Sequence, residues 1–256
     1  MKRILALAAF GAVFAALTAG TASATHSWGG YHWARTANPF TLKVGNNLTT
    51  ADWVGHFRQT LSDWNKSTVL QVTEVAGGSR NKRCNPTLGR DEVCNAAYGN
   101  NGWLGLASIW LASGTLHITQ GTEKMNDTYF NTSTYNNPNE RKHVMCQEIG
   151  HTFGLDHQST DGSSQNTCMD YFSNTGANAG STLSTTPNQH DYDQLATIYA
   201  HLDSSSTVGL SPVEGLPAEV PSWAHASESV YVDHLPNGQT QVTYVLWANP
   251  IHGWGG

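Results

Sequence analysis

Positive charge is scarce in this chain: 13 Lys and Arg stand against 19 Asp and Glu in 256 residues, and charged residues make up only 12% of the whole. A protein that grips a nucleic-acid backbone needs the opposite balance, so no nucleic-acid partner is expected. Long apolar runs are missing too. The stretch from Ile4 to about Leu17 is too short to span a bilayer, and no later segment reaches the ~18 apolar residues of a membrane helix. Cysteine is limited to four residues with no C-x-x-C spacing, which argues against a thiolate-ligated metal. No internal repeat marks an array of small units.

What is present begins with Lys2 and Arg3, the apolar run, and small residues ending at Ala22-Ser23-Ala24. This reads as a signal peptide over residues 1–24, cleaved after Ala24. Its loss leaves 11 Lys and Arg against 19 acidic residues, a formal net charge of −8. A secreted, extracellular monomer kept soluble by Asn, Ser, Thr and Gly is therefore expected, with residues 25–256 enough for one good core. Four cysteines in an exported chain suggest two disulfides, with three possible pairings. Cys84 with Cys94 closes a polar loop, and Cys146 with Cys168 ties a helix to the segment "TCMDY"; this pairing is favoured.

Phe40, Leu42 and Val44 alternate as a strand does, and Val69 to Val75 alternates again. Between them Thr50 caps a helix over 51–65, with Trp53, Phe57, Leu61 and Trp64 on one face. Residues 77–98 read as a loop. Residues 103–110 and 116–118 read as a hairpin about "ASGT". Asn137-Pro138-Asn139-Glu140 supplies a cap, a proline at the first helical position and Glu at the third, predicting a helix over 138–153 that ends at Gly154. Residues 158–186 form a long polar loop. Thr186-Pro187 opens a last helix with a stripe of Tyr192, Leu195, Ile198, Tyr199 and Leu202. The composition changes after Asp203, so residues 25–203 are read as a catalytic domain and 204–256 as an extension with a hairpin at Pro236-Asn237-Gly238.

The chemistry concentrates in "CQEIGHTFGLDH", Cys146 to His157. Residues four apart on a helix share a face, so Gln147 and His151 can reach one ion, and the turn at Gly154 can bring His157 back as a third ligand. Glu148 lies beside them as a general base. Three protein ligands leave a zinc position open for water.

Glu148-x-x-His151-x-x-Gly154-x-x-His157 resembles the zinc consensus of the metzincin metalloendopeptidases, with Gln147 where the family has its first ligand histidine. Met169 in Cys168-Met169-Asp170-Tyr171, twelve residues after His157, matches the family's Met-turn. Tyr171 is placed as the tyrosine that ligates the metal or assists the tetrahedral intermediate in some members. The resemblance covers residues 38–202 and looks most like the matrixins. It implies an α+β fold: a twisted mixed sheet, an active-site helix, a Met-turn and a C-terminal helix. It also implies that strand 103–110 is the sheet edge that holds an extended peptide substrate, and that residues 172–174 wall the pocket. A cysteine-bearing inhibitory propeptide and the histidine-rich segment for a second zinc are absent.

The implied function is a secreted zinc endopeptidase with Zn2+ as cofactor. Gln147, His151 and His157 are its metal ligands, Glu148 its base and Tyr171 its assistant. Gln147 offers a neutral amide oxygen of similar reach to imidazole, and a weaker bond. The alternative is an inert binding protein on the same scaffold, holding a protein or glycan. His143 sits about 12 Å along the helix from His151 and is read as an outer neighbour. His56, His117, His190 and His201 are read as ordinary polar residues.

Overall fold

The protein's structure, a computed structural model, describes residues 26–79, 82–211 and 229–248. The expected signal peptide lies outside the described residues. A short strand β1 (His32–Trp33) precedes β2 (Phe40–Asn47), whose alternating burial puts Phe40, Leu42 and Val44 inward. α1 (Ala51–Trp64) starts where the Thr50 side chain accepts from the Trp53 amide and buries Trp53, Phe57, Leu61 and Trp64, and β3 (Leu70–Ala76) follows.

The region expected as a loop over 77–98 contains a strand, β4 (Asp91–Ala96), inserted between β2 and the later strand β6 (His117–Asn126) and parallel to both. Its buried residues include Asp91, Glu92 and Asn95, so apolar alternation cannot reveal it. Polar partners hold it instead: Glu92 meets Arg90 at 2.6 Å, Thr87 Oγ1 at 2.6 Å and Asn47 Nδ2 at 2.7 Å.

β5 (Trp103–Leu111) and β6 (His117–Asn126) form the expected antiparallel hairpin, although β6 runs further than its apolar residues suggested. A one-turn helix α2 (Asp127–Phe130) leads to α3 (Pro138–Thr152), where the Asn137 side chain accepts from the Glu140 amide at 2.9 Å. α3 packs against β5, β6 and α1. Indole donors fix it in place: Trp64 Nε1 donates to the Cys146 carbonyl at 3.2 Å and Trp33 Nε1 to the Thr152 carbonyl at 3.0 Å. The second bond satisfies one of the carbonyls that every helix end leaves free.

α4 (Gln189–Ile198) begins with a reciprocal capping box between Asn188 and Asp191, two residues beyond the start expected at Thr186. Leu202, expected on its apolar stripe, is 57% exposed because the helix has already ended. Last come β7 (Val230–His234) and β8 (Thr240–Trp247), joined by the expected turn at Pro236-Asn237-Gly238.

The architecture is α+β. One mixed sheet runs β3-β2-β4-β6-β5-β8-β7, with β1 pairing parallel to the start of β6. Residues 103–110 are therefore not a free edge. β8 runs antiparallel along all of β5, from Trp103 opposite Trp247 to Leu111 opposite Thr240. Disulfides join Cys84 with Cys94 and Cys146 with Cys168. Among the described residues no helix is long and apolar enough to cross a membrane.

Candidate metal centre

Gln147 lies one turn before His151 on α3 and is fully buried. Its amide nitrogen donates to the Asp170 carbonyl at 2.7 Å and to the Cys168 carbonyl at 3.0 Å, which uses both N–H groups. Those two carbonyls assign the amide's orientation, because an oxygen there would face two acceptors at 2.7 and 3.0 Å, with His143 Nε2 farther off at 3.4 Å. Gln147 Oε1 is the free atom, buried and without a partner. His143 Nε2 donates to the same Asp170 carbonyl at 3.0 Å, so His143 braces the turn that holds Gln147.

His151 Nδ1 donates to the Leu155 carbonyl at 2.8 Å, leaving the Nε2 lone pair buried and unpartnered. Leu155 comes into reach because Gly154 turns the chain with φ +94°. His157, beyond that turn, stands with its ring centroid 4.9 Å from that of His151 and its Nε2 also unpartnered. Its Nδ1 meets Tyr244 Oη at 2.8 Å, and Tyr244 Oη lies 3.1 Å from Asp156 Oδ1. Read as a relay, the imidazole N–H donates to the phenol and the phenol to the carboxylate. That order fixes the His157 tautomer, as an outer carboxylate commonly does for a metal ligand. Burial pulls the His151 pKa down to about 4 and the His157 pKa well below its usual value. Both rings are neutral at neutral pH, as ligands must be.

Glu148 faces β5 at Gly105, where any side chain would overlap its carboxylate. Both carboxylate oxygens are buried and unpartnered, and burial raises its pKa well above the usual range. Met169 lies beneath: a Cβ on Gly150 would come 2.5 Å from its sulfur, so the glycine lets the helix settle onto the turn. The turn is fastened by Asp170 Oδ2, which accepts from Gln165 N at 2.6 Å and Ser184 Oγ at 3.0 Å, and by the disulfide at Cys168.

Tyr171 stands edge-on to His157 at 4.7 Å between centroids. Its hydroxyl turns toward the C-terminal hairpin, accepting from Trp247 N at 3.3 Å and lying 3.4 Å from the Val245 carbonyl. Asn174, in the expected wall, is buried, and its amide N–H is bonded to Glu140 Oε2 at 2.6 Å.

Sequence reasoning missed Tyr244, which stacks on His151 with centroids 4.2 Å apart and planes 4° from parallel. It also missed Trp28, edge-on to both rings. Neither has a spacing that ties it to the helix motif.

No protein-family model and no curated protein matches the chain. Among solved structures, myroilysin superposes with a TM-score of 0.39 and 13% identity, over 69% of this chain and 99% of that one. High choriolytic enzyme 1, a hatching enzyme zinc-protease from the medaka fish Oryzias latipes, superposes with a TM-score of 0.36 and 10% identity, over 66% and 94%.

Proposed function

We propose that the chain is a secreted zinc-dependent endopeptidase, acting as a monomer on protein or peptide substrates. The observation that carries this reading is the set of buried lone pairs with no partner: Gln147 Oε1, His151 Nε2 and His157 Nε2. An unpaired buried polar atom costs ~1–3 kcal/mol, and a cation accepting all three removes that cost. Two imidazoles and an amide oxygen suit zinc's preference for nitrogen with room for an oxygen. The residues therefore fit the ion. The two disulfides suit an exported protein.

Zinc held there would supply Lewis acidity, polarising a peptide carbonyl and lowering a water's pKa to ~7. Glu148 would take the proton of a water attacking the carbonyl carbon and return it to the amine as the C–N bond breaks. The Tyr171 hydroxyl, engaged with β8, would have to leave those contacts to donate toward the developing oxyanion. Gln147, being neutral, leaves the site charge as an imidazole would.

A second reading, an inert binding protein, draws on the pairing of β8 with β5, which fills the strand position a substrate would take. Metal analysis of the purified protein, with digestion of an unfolded protein by wild type, Glu148→Ala and Gln147→His, separates the two. The enzyme reading expects at least one equivalent of bound zinc and cleavage that is lost in Glu148→Ala. Activity appearing only in Gln147→His would make the natural protein a binder with a disabled site.

A further inference from the structure

The sequence has no histidine-rich segment for a second ion, yet folding gathers donors from three distant stretches. Asp203, just after α4, divides its carboxylate. Oδ2 accepts from Arg35 Nη1 at 2.8 Å and Arg35 N at 3.1 Å. Oδ1 faces three imidazoles: His117 Nε2 at 3.3 Å, His32 Nε2 at 3.5 Å and His201 Nε2 at 3.6 Å. His32 Nε2 and His201 Nε2 are 3.2 Å apart.

We propose that His32, His201 and Asp203 form a second divalent-metal site of the zinc class, distinct from the first, with His117 beside the Asp203 carboxylate. One donor atom each from His32, His201 and Asp203 lie within 4.8 Å of one another. Bonds of ~2.0–2.1 Å in tetrahedral zinc set neighbouring donors ~3.3–3.4 Å apart, and the 3.2, 3.5 and 3.6 Å separations lie around that spacing. The tautomer is prepared as well. His32 Nδ1 donates to the Gly30 carbonyl at 2.9 Å, which leaves its Nε2 lone pair facing the cluster. Arg35 is the outer partner that orients the carboxylate, a role such sites ordinarily contain.

Access and function follow from position. The His32 and Asp203 side chains are 9% and 8% exposed, whereas that of His201 is 53% exposed, so an ion can enter past His201 and rest against buried donors. Three protein donors would hold the ion and leave its fourth position to water. The ion would clip β1 to the segment after α4, which already meet through Asp203 N to Arg35 O at 2.9 Å. No donor is shared with Gln147, His151 or His157.

The test uses the full chain, stripped of metal, dialysed against zinc and measured for bound zinc and for thermal midpoint. Wild type, His151→Ala, His201→Ala and the double variant are compared. His201 is the variant of choice because its exposed ring leaves the core intact; His32→Ala provides a second. The expected zinc contents are two, one, one and none, and zinc raises the midpoint of His151→Ala but not of the double variant. Loss of His201 should weaken the site by more than the ~10–100-fold typical of an outer-shell partner. If His151→Ala binds no zinc, or binds it equally well after His201→Ala, the cluster is a metal-free set of histidine and carboxylate contacts and the proposal fails. The active-site reading fails separately, if wild type binds one zinc and His201→Ala none.

Discussion

Tyr244 reaches the metal centre from the far end of the chain, and its ring and hydroxyl do different things there. The ring stacks on His151, while the hydroxyl stands between His157 Nδ1 and Asp156. Tyr244→Phe keeps the first contact and removes the second. Zinc affinity, read by competition with a chromophoric chelator, should fall ~10–100-fold with little change in metal-free unfolding; unchanged affinity would remove the relay from the site. Gly154 shows a backbone constraint at the same scale. Its φ of +94° already disfavours a side chain, and a Cβ would overlap the Tyr31 carbonyl. Gly154→Ala should therefore cost at least ~2 kcal/mol in urea unfolding, and because this turn sets Leu155 against His151, zinc affinity should drop with it.

Among the elements, the hairpin of β7 and β8 has the largest consequence. β8 takes the antiparallel main-chain bonds along β5, which an extended substrate would use under the proposed endopeptidase reading, and the Tyr171 hydroxyl is engaged with it. A tethered segment competes at an effective concentration in the mM range. Removing residues 229–256 should lower the apparent KM for an unfolded protein about tenfold or more at saturating zinc, while weakening zinc binding through loss of Tyr244. A truncated chain that is inactive even at saturating zinc would make the hairpin a working part of the site.

Across the molecule, buried carboxylates make stability depend on pH. Glu140, at the third position of α3, does not turn back to its own cap; Oε2 accepts from Asn174 N at 2.6 Å. Burial outweighs that bond and raises its pKa to about 7. The folded protein thus holds a proton that the unfolded chain releases near its ordinary value of 4.5. The associated stability is fully present below the unfolded value and is lost as pH rises through about 7, by roughly 3 kcal/mol at most. Glu140→Gln should flatten this slope in denaturant titrations between those limits; an unchanged slope would place it on Asp91 and Glu123, buried carboxylates that share Thr152 Oγ1 and are also raised well above their usual range.

The helix caps at Thr50 and Asn137, the turn at Gly154 and the hairpin at Asn237-Gly238 were legible in the sequence because each depends on residues a few positions apart. So was the grouping of Gln147, Glu148 and His151, which one helical turn enforces, and four cysteines suggested two disulfides in the pairing that the structure has. β4 was not legible: its inward residues include two carboxylates and an amide, with partners elsewhere in the chain at Asn47, Thr152 and Asp127. The orientation of the Gln147 amide depends on carbonyls more than twenty residues away, at Cys168 and Asp170. The meeting of His32, His117, His201 and Asp203, and the return of Tyr244 to His157, exist only once the sheet has closed. Local chemistry is written in spacing, whereas a donor's partner across the sheet is chosen by strand order and register, and those are set by the packing of the whole chain.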